Sequence, residues 1–135
     1  QEYLGKQGRV EVSGICGEVT GEMVLRFRAA VLERHPQMVV ILGGTNDLGW
    51  NANPAEIMRN LTKMYELARA SSIVPVPVTV PSIRVDVGAD NPDAASWLAQ
   101  HIQRRQQLNA MIAELPQAQR LTSPKPPPRR ATGLR

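Results

Sequence analysis

The sequence predicts an α/β fold with a parallel β-sheet, and three observations support this prediction. Residues 38–42 are five consecutive apolar residues without alternation, which is typical of a strand buried on both faces of a parallel sheet. Several other segments carry the apolar stripe of an amphipathic helix. The elements follow the order strand, helix, strand, helix, strand, helix, which indicates right-handed crossovers over one parallel sheet.

The composition is that of one globular domain with an aliphatic core. The chain has 135 residues, of which 42% are hydrophobic and 4% aromatic. No apolar run approaches the roughly 18 residues that a membrane-spanning helix needs. The single cysteine, Cys16, cannot form an internal disulfide, which fits a reducing compartment such as the cytoplasm or a protein that needs no bridge. The compartment stays open, because the chain begins at Gln1 rather than at a methionine.

The net charge of +4 comes from the end of the chain. Residues 116–135 contain five basic and no acidic residues, so 16 − 5 = 11 basic residues face 12 acidic ones in the rest. Five of the 11 prolines also fall in this segment. We therefore predict one folded domain over residues 1–115 and a disordered, proline-rich basic tail over 116–135, with no nucleic-acid partner.

The first third of the chain is predicted to contain two helical segments, a strand and a loop. Residues 2–6 fit the last turn of a helix, residues 10–12 alternate as a short strand, and residues 13–21 form a glycine-rich loop. A helix is predicted over residues 22–34, and His35 follows it as a cation at the helix C-terminus. The buried stripe of this helix is Met23, Phe27, Ala30 and Val31.

After the strand at residues 38–42, the signals for the next helix are clear. Asn53 can cap it and Pro54 suits its first position. Its predicted core-facing residues are Ile57, Leu61, Met64, Tyr65 and Ala68.

The last predicted strand covers residues 73–80. Because Pro75 and Pro77 lack N–H groups, regular pairing is expected only over residues 78–80. A loop at residues 81–92 and a helix over about residues 93–115 follow. His101 lies within that helix and is interpreted as a structural or surface histidine, since no nucleophile or second ligand lies near it in sequence.

Two glycine-bearing loops follow two of the predicted strands and should open on the same edge of the sheet, where α/β proteins bind ligands. The first offers backbone N–H groups around Gly17, and the second offers the side-chain amide of Asn46. Such donors can stabilise the oxyanion of a tetrahedral intermediate. The sequence contains neither a phosphate-binding glycine pattern nor metal-ligand spacing, so no cofactor is expected.

These loops carry a family resemblance. Residues 14–20, a helix, and then residues 39–48 with Gly44-Thr45-Asn46-Asp47 resemble the second and third conserved blocks of the SGNH, or GDSL-type, hydrolases. Residues 76–81 are similar to the strand that follows in that family, and the resemblance covers about residues 1–115. It implies a flavodoxin-like three-layer α/β/α sandwich with a parallel sheet, and hydrolysis of small-molecule carboxylic esters by a serine nucleophile.

The resemblance also implies roles for individual residues. Gly17 would be a backbone oxyanion donor and Asn46 the side-chain donor. Thr45, Asp47 and Trp50 would contribute to binding, Asp47 by bracing the loop with hydrogen bonds and Trp50 by bordering the substrate pocket or by ordinary packing. Cys16 is interpreted as a small loop residue and not as a nucleophile, since no histidine is near it in sequence.

The chain departs from the family pattern at both ends. It contains no Gly-Asp-Ser block and no Asp-x-x-His. We therefore expect an incomplete fold that lacks the first and last strands, either a fragment or a degenerate relative, which keeps the oxyanion donors but is inactive alone. The alternatives are a non-catalytic carbohydrate- or acyl-binding module and, less compatible with the loops, a nucleotide-binding domain.

The predicted loss of the first strand has a physical consequence. The strands at residues 10–12 and 38–42 would have to pair directly, leave a gap or accept a strand from another chain. Self-association through unpaired sheet edges is therefore expected.

Overall fold

The structure is a computed structural model that describes residues 8–83 and 91–115. The described part is an α/β arrangement of two strands and four α-helices, with one 3₁₀ turn at Leu32–Arg34. In chain order these elements are α1 (Thr20–Ala30), β1 (Met38–Ile41), α2 (Thr45–Gly49), α3 (Pro54–Ala70), β2 (Val74–Pro77) and α4 (Pro92–Ala113). The predictions for residues 2–6 and 116–135 fall outside the described residues.

The two strands form a parallel pair, so the predicted α/β fold with a parallel sheet is confirmed. Met38 lies opposite Val74 and Ile41 lies opposite Pro77. The chain passes from β1 to β2 through α2 and α3, as a parallel connection requires. In the described part of the chain no helix is both long and apolar enough to span a membrane.

The helix predictions agree closely with the structure. All five residues of the predicted stripe in α3 are buried, and Asn53 caps this helix by accepting a hydrogen bond of 2.9 Å from the N–H of Ala55. Helix α1 begins at Thr20, two residues before the predicted start, and Phe27 is the residue of its predicted stripe that is fully buried. His35 is exposed and ends the 3₁₀ turn with a left-handed φ of 51°.

Three predictions about the sheet are wrong, and the first two concern residues 10–12 and β1. Residues 10–12 form no strand, and the side chain of Val12 is 91% exposed. This segment does not pair with β1. An ion pair of 2.6 Å between Glu11 and Arg34 connects it to the 3₁₀ turn instead. Strand β1 is covered on one face only, because Ile41 is buried whereas Met38 and Val40 are exposed.

The prolines of β2 do not prevent pairing, contrary to the prediction that regular pairing occurs only over residues 78–80. The N–H groups of Val74 and Val78 donate to the carbonyls of Gln37 and Ile41, at 3.0 and 3.3 Å. Alternate residues of a strand face the same neighbour, so Pro75 and Pro77 lie at positions whose N–H would point away from β1. The β1-facing donors are therefore intact.

The core lies between one face of the sheet and the helices α1, α3 and α4. Two buried side chains in it have polar atoms without a hydrogen-bond partner among the described residues: the Tyr65 hydroxyl and both ring nitrogens of His101. His101 stacks on Trp97 with ring centroids 5.1 Å apart. His101 is thus a core residue. Of the two interpretations drawn from the sequence, structural or surface, the structural one is correct.

The buried hydroxyl of Tyr65 generates a prediction about alkaline stability. Burial raises the pKa of Tyr65 to about 12, compared with about 10 in an unfolded chain. The contribution of the neutral Tyr65 hydroxyl to stability is therefore fully present below about pH 10 and is lost as the pH rises through about 12. Between about pH 9 and 12 we expect the free energy of unfolding of Tyr65→Phe to rise by about 2 to 3 kcal/mol relative to that of the parent.

Urea unfolding of both proteins at several pH values measures this difference. The matched control is Tyr3→Phe, which removes the other tyrosine hydroxyl of the chain. Parallel loss of stability in the parent and in Tyr65→Phe above about pH 10 would contradict the prediction.

Candidate active site

The turn after β1 depends on two glycines with different roles. A Cβ on Gly43 would lie 3.0 Å from Sδ of Met23 and 3.1 Å from Cγ2 of Thr20, so this position allows α1 to approach the turn closely. Gly44 has a φ of +117°, which favours glycine, and it precedes the first residue of α2. The polar residues that the sequence indicated as a turn therefore form the first turn of a short helix, Thr45–Gly49.

Asp47 lies inside the protein and connects α2 to α1. Its Oδ1 accepts a hydrogen bond of 2.9 Å from the N–H of Thr20, and its Oδ2 accepts one of 2.7 Å from the Thr20 hydroxyl. The side-chain amide of Asn60 donates to the same hydroxyl at 3.1 Å. Both carboxylate oxygens are thus engaged within the protein. This geometry is what a bracing role requires, while a part in substrate binding stays a prediction.

Asn46 brings the two predicted site loops together. Its Nδ2 donates a hydrogen bond of 2.9 Å to the backbone carbonyl of Glu18, the residue after Gly17. An Asn amide carries two N–H groups, so this bond uses one of them. Gly17 itself lies in an exposed turn with a φ of +82°, and its N–H makes no hydrogen bond within residues 8–83 and 91–115.

The loop that carries Gly17 is held by Arg26, a residue of α1. Its guanidinium binds both carboxylate oxygens of Glu18, with Nη2 2.7 Å from Oε1, and it also donates to the hydroxyl of Ser13 at 3.0 Å. The hydrogen bond from Arg26 holds the pKa of the Glu18 carboxyl below its ordinary value. Glu18 is therefore fixed at its side chain by Arg26 and at its carbonyl by Asn46.

Sequence reasoning missed Arg26, Glu18 and Thr20. The Arg26–Glu18 pair joins a helix to an irregular loop eight positions earlier, and the Thr20–Asp47 pair is 27 positions apart. Each pair joins two different elements, so the periodicity within one helix or strand does not indicate it. A polar residue at position 20, on a helix stripe that is otherwise apolar, was the available indication.

The remaining predicted site residues lie on the surface side of this region. Thr45 is half-buried at the start of α2, whereas Trp50 is 80% exposed just after its end. Cys16 is exposed in the same turn as Gly17. Asn51 accepts a hydrogen bond of 3.1 Å from Arg104, which connects the end of α2 to α4.

The fold and the site define an α/β protein in which an amide donor follows a parallel strand and contacts a neighbouring glycine loop. A model of the GDSL-like Lipase/Acylhydrolase family matches residues 1–123. The chain belongs to this family. The resemblance drawn from the sequence is thereby confirmed. A search of curated proteins gives no match.

A solved structure agrees with this membership. A GDSL-like lipase from Bacteroides thetaiotaomicron is 33% identical with a TM-score of 0.63, and the match covers 75% of this chain and 48% of that one. A putative acylhydrolase from Bacteroides fragilis is 28% identical with a TM-score of 0.49, and the match covers 73% of this chain and 50% of that one. The chain therefore spans about half the length of the structures it matches.

Gly44 provides a test of the turn geometry. A Cβ there would lie 2.9 Å from Cδ2 of Leu108 and 3.1 Å from Cγ2 of Ile57, in addition to the unfavourable φ. We expect Gly44→Ala to lower the free energy of unfolding by at least about 2 to 3 kcal/mol. The matched control is Gly49→Ala, which meets no heavy atom within 4 Å and should be neutral or slightly stabilising. Equal effects in chemical denaturation would contradict the described turn.

Asp47 provides a second test. We expect Asp47→Ala to cost about 1 to 3 kcal/mol, because it leaves the buried N–H and hydroxyl of Thr20 without their acceptor. Combining it with Thr20→Val should cost less than the sum of the two single changes. Glu66→Ala, on the exposed side of α3, is the control and should stay within about 0.5 kcal/mol. Strict additivity of the pair would argue against the bond.

Proposed function

We propose that this chain is a portion of a GDSL-type carboxylic ester hydrolase that contributes the oxyanion-binding donors. The observation that supports this most is the hydrogen bond of 2.9 Å between the Asn46 amide and the Glu18 carbonyl, which puts the amide against the loop of Gly17. The second N–H of Asn46 and the N–H of Gly17 are the groups we assign to the substrate. The domain we assign to this function is residues 1–115, and residues 116–135 lie beyond it.

The chemistry of these donors follows from where charge develops. When a nucleophile attacks an ester carbonyl, the carbonyl oxygen becomes an oxyanion, and donors fixed beforehand stabilise it without reorganising. Each such donor is typically worth about 10² to 10³ in rate. Thr45 and the exposed ring of Trp50 are proposed to border the ester, and Asp47 to keep α2 in place.

The sequence motifs that carry the nucleophile and its base in this family are not found in this chain. It contains neither Gly-Asp-Ser nor Asp-x-x-His, the blocks in which the family keeps its serine and its acid and base. We therefore propose that the chain alone does not turn over esters. Oxyanion donors without a nucleophile position a carbonyl but form no acyl intermediate.

A titration with acetate, the product of acetyl-ester hydrolysis, tests the donors directly. We expect the NMR signals of the Gly17 N–H and the Asn46 side-chain amide to shift together with one dissociation constant. Asn46→Ala should abolish the saturable shift at Gly17. The control Asn53→Ser keeps the cap of α3 and should leave the shift unchanged. Shifts that do not saturate, or that survive Asn46→Ala, would overturn the assignment.

A separate assay of ester hydrolysis tests the proposal that the chain alone is inactive. We expect the chain to hydrolyse p-nitrophenyl acetate no faster than buffer, and Asn46→Ala to change nothing. Hydrolysis by the parent chain that Asn46→Ala abolishes would show that a nucleophile is present after all.

A second candidate is a non-catalytic binding module for a carbohydrate or acyl group on the same fold. The ring of Trp50, 80% exposed beside the predicted donors, favours this candidate, because exposed aromatic rings can stack on ligands. A ligand that raises the melting temperature without being hydrolysed, and loses this effect in Trp50→Ala, would distinguish it from the hydrolase portion.

We also propose that the chain self-associates through an unpaired edge of its sheet. The support is the two-stranded sheet among the described residues, since two strands leave two edges open to pairing.

A further inference from the structure

The turn that carries Gly17 has little packing of its own. Residues 14–17 are all exposed, and a Cβ on Gly17 would meet no heavy atom within 4 Å. Within the turn, the N–H of Glu18 donates a hydrogen bond of 3.3 Å to the carbonyl of Ile15. The position of the Gly17 N–H is therefore determined by how the two ends of the turn, Ser13 and Glu18, are held.

Asn46 alone does not fix this turn. Its amide donates one hydrogen bond, of 2.9 Å, to the Glu18 carbonyl. A carbonyl accepts hydrogen bonds over a broad range of directions, so this bond fixes a distance but lets the turn rotate about it. The direction of the neighbouring Gly17 N–H therefore requires a second point of attachment, and the Glu18 carboxylate provides it.

Arg26 holds both ends of the turn with one guanidinium. It binds both carboxylate oxygens of Glu18, with Nη2 2.7 Å from Oε1, and it donates to the Ser13 hydroxyl at 3.0 Å and to the Ser13 carbonyl. The Glu18 side chain is only 9% exposed. This set of bonds requires the planar fork of an arginine, because a lysine ammonium is a single point charge that cannot bind a carboxylate through two parallel N–H groups.

We propose that Arg26 is a positioning residue, which fixes the N–H of Gly17 relative to the amide of Asn46 by holding Glu18. This inference rests on the proposed function, in which these two donors bind the same oxyanion, and it adds the residue that sets their relative geometry. Arg26 is assigned no contact with the substrate, since its Nε, Nη1 and Nη2 are all bonded to the turn. The affinity of the site then depends on the fraction of molecules in which the turn is held.

Two substitutions with opposite effects on charge separate positioning from simple attraction of an anion. Arg26→Lys keeps the positive charge but loses the planar fork, and Glu18→Gln removes a negative charge close to the site. Attraction alone predicts that the first leaves acetate binding unchanged and that the second tightens it. Positioning predicts that both weaken it, by about 10-fold if the turn is held in about one molecule in ten.

The measurements are the dissociation constant of acetate at neutral pH and the ¹H–¹⁵N NOE of the Gly17 amide in the free chain, which reports fast motion of the turn. We expect both variants to raise the dissociation constant and to lower the NOE, while the signals of α3 stay in place and show that the chain remains folded. The matched controls are Arg34→Lys and Glu11→Gln, the same changes in an exposed ion pair outside the turn. Neither control should change either quantity.

The NOE of the free chain tests the positioning role independently of acetate. An NOE at Gly17 that is unchanged in either variant overturns this role. A lower NOE with an unchanged dissociation constant, or tighter binding in Glu18→Gln, also overturns it. If the parent binds no acetate, the oxyanion assignment fails instead, and a lower NOE in both variants still supports Arg26 as the residue that holds the turn of Gly17.

Discussion

The arrangement of the candidate site depends on the buried carboxylate of Asp47. Thr20 is the first residue of α1, and its N–H is one of the donors that a helix leaves unsatisfied at its N-terminus. The preceding residue, Val19, has no side-chain acceptor that could cap the helix. Asp47 supplies the acceptor from 27 positions away, and its negative charge lies where the helix dipole favours it. One side chain therefore caps α1 and fixes α2 against it.

Fixing Asp47 also fixes Asn46, because both belong to the first turn of the same short helix. Neighbouring helical residues point in directions about 100° apart, so one can face the core while the other faces the adjacent loop. The close approach of the two helices is possible because Gly43 has no Cβ, which would otherwise meet Cγ2 of Thr20 at 3.1 Å. Gly43, Asp47 and Asn46 thus form one structural unit. The glycine allows the close approach, the carboxylate caps α1, and the amide contacts the adjacent loop.

The sequence predicted those features that depend on local signals. The stripe of α3 and its Asn53 cap are encoded within a few turns of chain, the parallel pairing follows from the alternating order of strands and helices, and all three are present. Features that depend on a distant partner were missed or wrong. The alternation at residues 10–12 shows that a strand is chemically possible, but a strand also needs a neighbour to pair with. Likewise, the unbroken apolar run of β1 indicates two apolar faces without determining that both are covered.

The contacts that position the predicted donors are all internal to this chain. Arg26 holds the side chain of Glu18, Asn46 holds its carbonyl, and Thr20 holds Asp47. Oxyanion stabilisation is effective only when the donors are fixed before charge develops, since reorganising them during reaction would consume the gain. Each of these contacts joins two residues in the described part of the chain. On the proposed assignment, preorganisation of the donors therefore rests on these contacts and is physically separate from the supply of the attacking group.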